Sequence, residues 1–200
     1  MVADICAAHG VEHHVTSYVV DQVADRRPGR TARTHDLSIV GLAEGDGDAR
    51  RTVEDLVFGS GRPVLVLPAS QVEPLVLNRV CVAWDHSEPA ARTLSLALPI
   101  LKCAERVDVV TLDTGRVQAA PGSARAAANY LRRHGVPAHP RTLSPDGRKP
   151  GAQLIETALS EGANLMVMGA YGTPRVKELV FGGVTRTALE KPILPLLIAN

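Results

Sequence analysis

Apolar positions in the later part of the chain change their period several times. Short runs rich in valine, leucine and methionine have the length of buried strands, and they include Arg79–Trp84, Arg106–Leu112 and Leu165–Met168. Between such runs apolar residues recur every three or four positions, as over Ala91–Leu101, which predicts amphipathic helices. Strands and helices that alternate in this way predict a parallel sheet covered by helices on both faces.

Local signals place several of these elements more closely. Ser87 is a predicted helix N-cap, and Pro150 is suited to the first turn of a later helix. Two prolines within Val136–Leu143 confine that strand to a sheet edge. The wholly apolar run Leu165–Met168 predicts a central strand, and Ile193–Ile198 is the predicted last strand.

Part of this pattern occurs twice in the chain. Asp36–Gly41 resembles Asn164–Gly169, and Pro63–Leu67 resembles Pro192–Leu196 at nearly the same spacing. A repeat of this kind indicates two copies of one structural unit. The earlier copy has no counterpart of the first strands of the later one, so it is an incomplete copy.

The repeat divides the chain into three parts. We predict a partial copy over residues 1–69, a linker over residues 70–78 and a complete unit over residues 79–200. The expected fold class is α/β: a Rossmann-like open parallel sheet of five strands with helices on both faces, preceded by a partial copy of the same unit. The partial copy lacks the strands that would close its own sheet.

Composition narrows the classes of function. Hydrophobic residues make up 45% of the chain and charged residues 22%, which is ordinary for a globular protein. A net charge of +1 and an aromatic content of 3% argue against nucleic-acid binding. No apolar run reaches the roughly 18 residues of a membrane span, so no membrane contact is expected. Three widely spaced cysteines favour reduced thiols and a cytoplasmic location.

A glycine-rich loop is the main candidate for chemistry. Gly169, Gly172 and Gly182 follow the apolar strand at Leu165–Met168. Glycine lets the backbone approach a ligand closely, and the N–H groups of a helix start attract phosphate. A second glycine, Gly183, follows at once, and each glycine costs roughly 1 kcal/mol in a helix, so we expect a new helix to start near residue 184.

Two carboxylates are expected at the same rim of the sheet as this loop. Asp85 follows the first strand of the complete unit and Asp113 follows the second. Ligands of such sheets bind beyond the carboxyl ends of the strands. Asp85, His86 and Ser87 do not form a catalytic triad, because adjacent residues do not converge as base and nucleophile. We therefore expect a binding site without catalytic residues.

These features resemble the universal stress protein family. Gly169, Gly172 and Gly182 match the family pattern G-x2-G-x9-G, which ends in Ser or Thr, and Val80–Ser87 is similar to the family strand that ends in Asp-Gly-Ser. His86 replaces the glycine of that strand end. Gly183 stands where the family has Ser or Thr, so a hydroxyl would have to come from Thr185.

The resemblance implies an adenine-nucleotide site in the complete unit. Its expected contacts run from the base to the phosphates: Asp85 near the adenine or ribose, Met168 and Gly169 near the adenosine, and Gly172, Gly182, Gly183 and Thr185 along the phosphates. ATP is the expected ligand, and Mg²⁺ would enter only with the nucleotide. In the partial copy, Glu44, Asp46 and Asp48 would repel phosphate, so we expect at most one nucleotide per chain.

The first functional hypothesis is a cytoplasmic, nucleotide-binding stress-response protein with a regulatory role and no metal site or efficient enzyme activity; slow ATP hydrolysis stays open. The alternative is a nucleotide-free module for dimerisation or protein interaction, either a homodimer or an intrachain pseudo-dimer. In the pseudo-dimer Pro63–Leu67 would pair with Pro192–Leu196, and Pro195 would weaken one rung. An adenylyltransferase-like enzyme is a third hypothesis, but the sequence has no His-x-Gly-His motif.

Overall fold

The computed structural model describes residues 2–14, 28–113, 123–170 and 183–200. The strands among these residues are β1 (Ser38–Leu42), β2 (Val64–Pro68), β3 (Arg79–Ala83), β4 (Arg106–Leu112), β5 (Ala138–Leu143), β6 (Leu165–Gly169) and β7 (Leu196–Ala199). The helices are α1 (Val2–Ala8), α2 (Pro28–Thr31), α3 (Gly47–Gly59), α4 (Glu88–Leu96), α5 (Leu98–Leu101), α6 (Ser123–Arg133), α7 (Pro150–Ser160) and α8 (Gly183–Glu190).

All of these strands join in one sheet in the order β1-β2-β7-β6-β3-β4-β5. Neighbouring strands are parallel except at the β2–β7 pair, which is antiparallel. The predicted α/β fold is confirmed, with the five strands expected for the complete unit lying in the order β7-β6-β3-β4-β5. The predicted edge position of β5 and central position of β6 are confirmed as well.

The two copies meet at the β2–β7 pair. Val64 pairs with Ile198 and Val66 with Leu196, so the predicted contact between the final strands of the two copies is confirmed. The partial copy therefore extends the sheet of the complete unit instead of forming a sheet of its own.

The expected start of the last strand was wrong. β7 begins at Leu196, because Pro192 and Pro195 have no N–H to give to a ladder and Ile193 is 46% exposed. Pro195 consequently lies outside the β2–β7 ladder and weakens none of its rungs. The structural repeat aligns Val64 with Leu196, since each pairs with the corresponding residue of the preceding strand. The sequence repeat suggested that Pro63 corresponds to Pro192. The strand register shows that it does not.

Packed layers cover both faces of the sheet. On one face, α3, α7 and α8 supply buried residues such as Val53, Leu154 and Leu189. On the other face, α4 and α6 supply residues such as Leu94 and Leu131. Leucines at positions 75 and 77, between β2 and β3, also pack against this second core, so the segment that joins the two copies contributes to it.

Cap and break signals account for the helix ends around β3 and β6. The Ala90 N–H donates to the Ser87 hydroxyl at 3.3 Å, which confirms the predicted N-cap of α4. The single helix expected over Ala91–Leu101 is broken at Ala97, because Pro99 cannot donate a helical hydrogen bond and instead lies in the first turn of α5. No helix of the described ranges is long and apolar enough to cross a membrane.

Candidate functional site

Three parallel strands of the complete unit end at one rim. β3 lies between β4 and β6, and the ladder continues past each strand end: the Trp84 N–H donates to the Val110 carbonyl, and the Ala170 N–H donates to the Ala199 carbonyl, each at 2.8 Å. Asp85 and Asp113 therefore follow their strands, and Gly169 ends its own, at the same end of the sheet, where ligands of such sheets bind.

Asp85 begins the turn that connects β3 to α4. Its side chain is exposed, and one carboxylate oxygen accepts a hydrogen bond from the Ser87 N–H at 3.0 Å. Ser87 then caps the helix. The turn thus holds the Asp85 carboxylate at the rim, because its hydrogen bond with the Ser87 N–H fixes the side chain to the backbone.

His86 has a left-handed backbone with φ of 65°, and no other non-glycine residue of the described chain has a positive φ. Side chains other than glycine seldom adopt this conformation. The family that the sequence resembles has glycine at this position. The reason is that glycine adopts a left-handed backbone without steric cost. The imidazole lies edge-on to the Trp84 indole with ring centroids 5.8 Å apart, so it stands beside the rim.

Trp84 was not among the residues singled out from the sequence. Its side chain is 9% exposed, and the indole N–H has no hydrogen-bond partner among the residues that the structure describes. Its backbone carbonyl accepts a hydrogen bond from the buried Thr111 hydroxyl at 2.9 Å. The only sequence signal for it is that the single tryptophan of the chain directly precedes Asp85.

Gly169 is placed by packing against α4. A methyl group at this position would lie 2.7 Å from the Ala90 Cα and the Pro89 carbonyl carbon, so any side chain would displace the first turn of the helix. Met168 is 4% exposed, and its side chain belongs to the core. These two predicted adenosine contacts therefore offer only backbone atoms to a ligand at the rim.

The remaining predicted phosphate contacts fall at or before the start of α8. Gly183 is the first residue of α8, which fits the helix start expected near residue 184. Thr185 is 3% exposed, so its hydroxyl faces the interior of the protein, and its backbone N–H is the group suited to an anion. Gly172 and Gly182 lie outside the described residues. Since β6 and β7 are parallel, the connection between them crosses the sheet, and α8 is the part of it that leads into β7.

The corresponding helix start in the partial copy is already occupied by a carboxylate. Asp46 caps α3, and its side chain accepts a hydrogen bond from the Ala49 N–H at 2.9 Å. Asp48 lies in the first turn and pairs with Arg51. Both acidic groups oppose a phosphate at this position, as the sequence predicted.

A charged cluster lies at the other end of β3 and β4. The Arg79 guanidinium contacts Asp108 at 2.6 Å and Glu161 at 2.7 Å, and Arg106 contacts the same Asp108 carboxylate at 2.9 Å. Burial alone would raise the pKa of Asp108, but the hydrogen bonds from the two guanidinium groups hold this pKa below its ordinary value. The cluster ties β3 and β4 to the end of α7.

The thiol of Cys81 is adjacent to this cluster and is not a candidate nucleophile. Burial, followed by the nearby negative charge of Asp108, raises the pKa of the Cys81 thiol to about 12. The thiolate is the reactive form of cysteine, and it is suppressed at such a pKa.

One known protein is similar to this chain over a short stretch of sequence. No protein-family model matches the sequence. Over 51 residues the chain is 29% identical to Universal stress protein MJ0577 of Methanocaldococcus jannaschii, a match that covers 26% of this chain and 32% of that protein. The match thus spans about a third of the relative's own length.

Solved structures share the fold over longer stretches. A universal stress protein from Archaeoglobus fulgidus matches with a TM-score of 0.75 at 18% identity, covering 100% of this chain and 73% of that chain. The structure of MJ0577 matches with a TM-score of 0.53 at 18% identity, covering 62% of this chain and 96% of that chain. The fold is therefore that of the universal stress proteins. A stretch of 51 residues is also similar in sequence to a member of that family.

Proposed function

We propose that the complete unit binds ATP or a related adenine nucleotide and that the protein has a regulatory role in stress response in the cytoplasm. The observation that carries the proposal is the exposed Asp85 carboxylate at the carboxyl ends of parallel strands, in a unit whose crossover from β6 to β7 contains the helix α8. The cytoplasmic location is supported by Cys6, Cys81 and Cys103, which are free thiols.

The residues at the rim suit the parts of a nucleotide in different ways. The Asp85 carboxylate can accept hydrogen bonds from a ribose hydroxyl or an adenine amino group. The first N–H groups of α8 have no partners within the helix, so they can donate to phosphate oxygens together with the glycine loop. Mg²⁺ would arrive with the phosphates. The proposed role is binding that shifts a conformational equilibrium, not turnover.

The proposal assigns one nucleotide to each chain. The partial copy has a carboxylate where the complete unit would hold phosphate, because Asp46 caps α3. It also has no counterpart of Asp85 in the sequence.

A second candidate function is a nucleotide-free interaction module, acting as a homodimer or as the intrachain pseudo-dimer. One specific observation favours it: the contact of Gly169 with α4 explains the absence of a side chain without any ligand. The β2–β7 pairing is the contact that a pseudo-dimer needs.

Nucleotide content and titration separate the two candidates. We expect the denatured protein to release adenine nucleotide, and calorimetry with ATP and Mg²⁺ to give about one site per chain, because a helix N-terminus attracts phosphate. Asp85→Ala should weaken binding at least tenfold, and Gly172→Val should abolish it by filling the space of a phosphate. Asp46→Ala is the matched control in the partial copy and should leave affinity unchanged.

Two results would overturn the proposal. The first is a protein that is purified empty and also fails to bind added ATP with Mg²⁺, which would support the interaction module. The second is a Gly172→Val variant with the affinity of the wild type, which would mean that the site lies elsewhere.

A further inference from the structure

The outer edge of β1 is open among the described residues. β1 is the last strand on its side of the sheet and pairs there with β2 alone. The Ser38 N–H donates to the Pro63 carbonyl, and the Leu42 carbonyl accepts from the Ala69 N–H, so these residues direct their backbone groups toward β2. By alternation, the N–H groups of Ile39 and Gly41 face away from the sheet.

One face of β1 is open as well. The Ile39 side chain is 62% exposed, although isoleucine is among the residues most often buried. A methyl group at Gly41 would meet no atom within 4 Å. An apolar face beside an unpaired strand edge is a template for another chain segment.

The complete unit shows what such an edge accepts. The equivalents of Ile39 and Gly41 in the repeat are Val167 and Gly169 of β6. Val167 is 1% exposed and pairs with Val82 of the parallel strand β3, and Gly169 receives the first turn of α4. The edge and face of β6 are thus filled by one strand followed by one helix, and no described residue fills the same two surfaces of β1.

An acceptor for the incoming strand is also in place. In the complete unit the Arg79 N–H, at the start of β3, donates to the Asn164 side-chain oxygen at 3.1 Å. Asp36 takes the place of Asn164 in the repeat, and its carboxylate is exposed. It can accept the same backbone N–H and would also attract a basic residue at the start of the strand.

Charge argues against a second copy of this chain as the occupant. Two β1 strands paired antiparallel about Val40 would set Asp36 of one copy opposite Glu44 of the other. Like charges that face each other across a strand pair are destabilising. A parallel apolar strand that begins with a basic residue avoids this repulsion.

We propose that the open edge and face of β1 bind a strand–helix segment of another polypeptide. The segment has the design of Arg79–Leu96: a basic residue, a short apolar strand, and a helix with a small residue in its first turn. This inference goes beyond nucleotide binding and does not depend on it.

The test uses the full-length protein and a fluorescent synthetic peptide with the sequence of residues 78–97. We expect fluorescence anisotropy to rise on titration with the protein. Gly41→Val should weaken binding at least tenfold by blocking the approach of the helix, and Ile39→Lys should do the same by removing the apolar face. Val72→Lys, at an exposed valine of the linker, is the matched control and should bind like the wild type.

Thermal melts check that the variants fold. Both β1 substitutions lie at exposed positions, so we expect melting temperatures close to that of the wild type. A peptide in which proline replaces the residue at the position of Cys81 should not bind, because the odd-numbered residues of β3 direct their backbone groups toward β6 and proline has no N–H to complete that ladder. Equal binding by the wild type and both β1 variants would overturn the proposal. So would a protein that is dimeric by light scattering and becomes monomeric on Gly41→Val, because the occupant would then be a second copy.

Discussion

β1 and β6 have similar sequences but different surroundings. Both have an apolar run that ends in glycine, and both pair in parallel with the final strand of their copy. β6 has a strand on its other side and a helix on the face of Gly169, and its apolar side chains are buried. β1 has neither neighbour among the described residues, and Ile39 and Gly41 are exposed.

The difference shows that two strands of similar sequence can have different neighbours in the same sheet. Glycine at the end of β6 is needed because α4 packs directly against it, whereas the space around Gly41 would admit a side chain. The same pattern therefore has a packing role in one copy and no visible packing role in the other.

Valine substitutions at the two glycines test this comparison most strongly. Gly169→Val should lower the free energy of unfolding by about 3 kcal/mol, because its side chain would displace the first turn of α4. Gly41→Val should change it by less than about 0.5 kcal/mol, because nothing lies near the new side chain. Urea denaturation of both variants measures the difference. Similar losses in the two variants would mean that the surroundings of β1 and β6 are alike.

The charged cluster at the start of β3 and β4 is a second feature of the complete unit. Asp108→Asn should lower the free energy of unfolding by about 2 kcal/mol, because Arg79 and Arg106 would lose a charged acceptor in a buried position. Asp48→Asn, at an exposed pair in the partial copy, is the matched control and should cost less than about 0.5 kcal/mol. Equal effects would contradict a special role for the buried pair.

Low pH should remove the contribution of the Asp108 carboxylate to the free energy of unfolding. The pKa of Asp108 lies below its ordinary value of 3.8 in the folded protein, so its stabilisation is present above that pH and is lost as the pH falls toward the folded-state pKa. The stability difference between wild type and Asp108→Asn should therefore shrink as the pH falls below about 4. Denaturation curves between pH 7 and pH 2.5 measure this, and a constant difference would contradict it.

The smallest expected effects come from the helix caps, where the two copies should agree. Ser87→Ala removes the cap of α4, and Asp46→Ala removes the cap of α3. Each should cost about 1 kcal/mol, because one N–H at the helix start loses its acceptor. Thermal denaturation checks both variants. A loss confined to one copy would show that the cap depends on its packing environment.

Much of the fold followed from pattern and spacing. The order of strands and helices, the edge position of β5 and the central position of β6 were predictable, because proline content and uniform hydrophobicity report directly on sheet position. The start of β7 was not, since the run from Pro192 resembles the earlier strand although its prolines cannot enter the ladder. The break at Ala97 was not predicted either. It is caused by Pro99, and the spacing of apolar residues alone does not reveal it.

Less of the candidate site was predictable. The spacing of Asp85, Asp113 and Gly169 correctly indicated one rim, because parallel strands end together. The contact between Gly169 and α4 is a tertiary one, and glycine spacing alone does not distinguish it from a ligand contact. The burial of Thr185 depends in the same way on how α8 packs, which its sequence position does not fix.

The antiparallel join between β2 and β7 sets the two copies head to tail. The loop after β1, with its acidic cap at Asp46, therefore emerges at the pole of the molecule opposite Asp85. A small molecule bound at one of these loops therefore does not contact the other. Each copy thus presents the loop after its glycine-ending strand at a different end of the shared sheet.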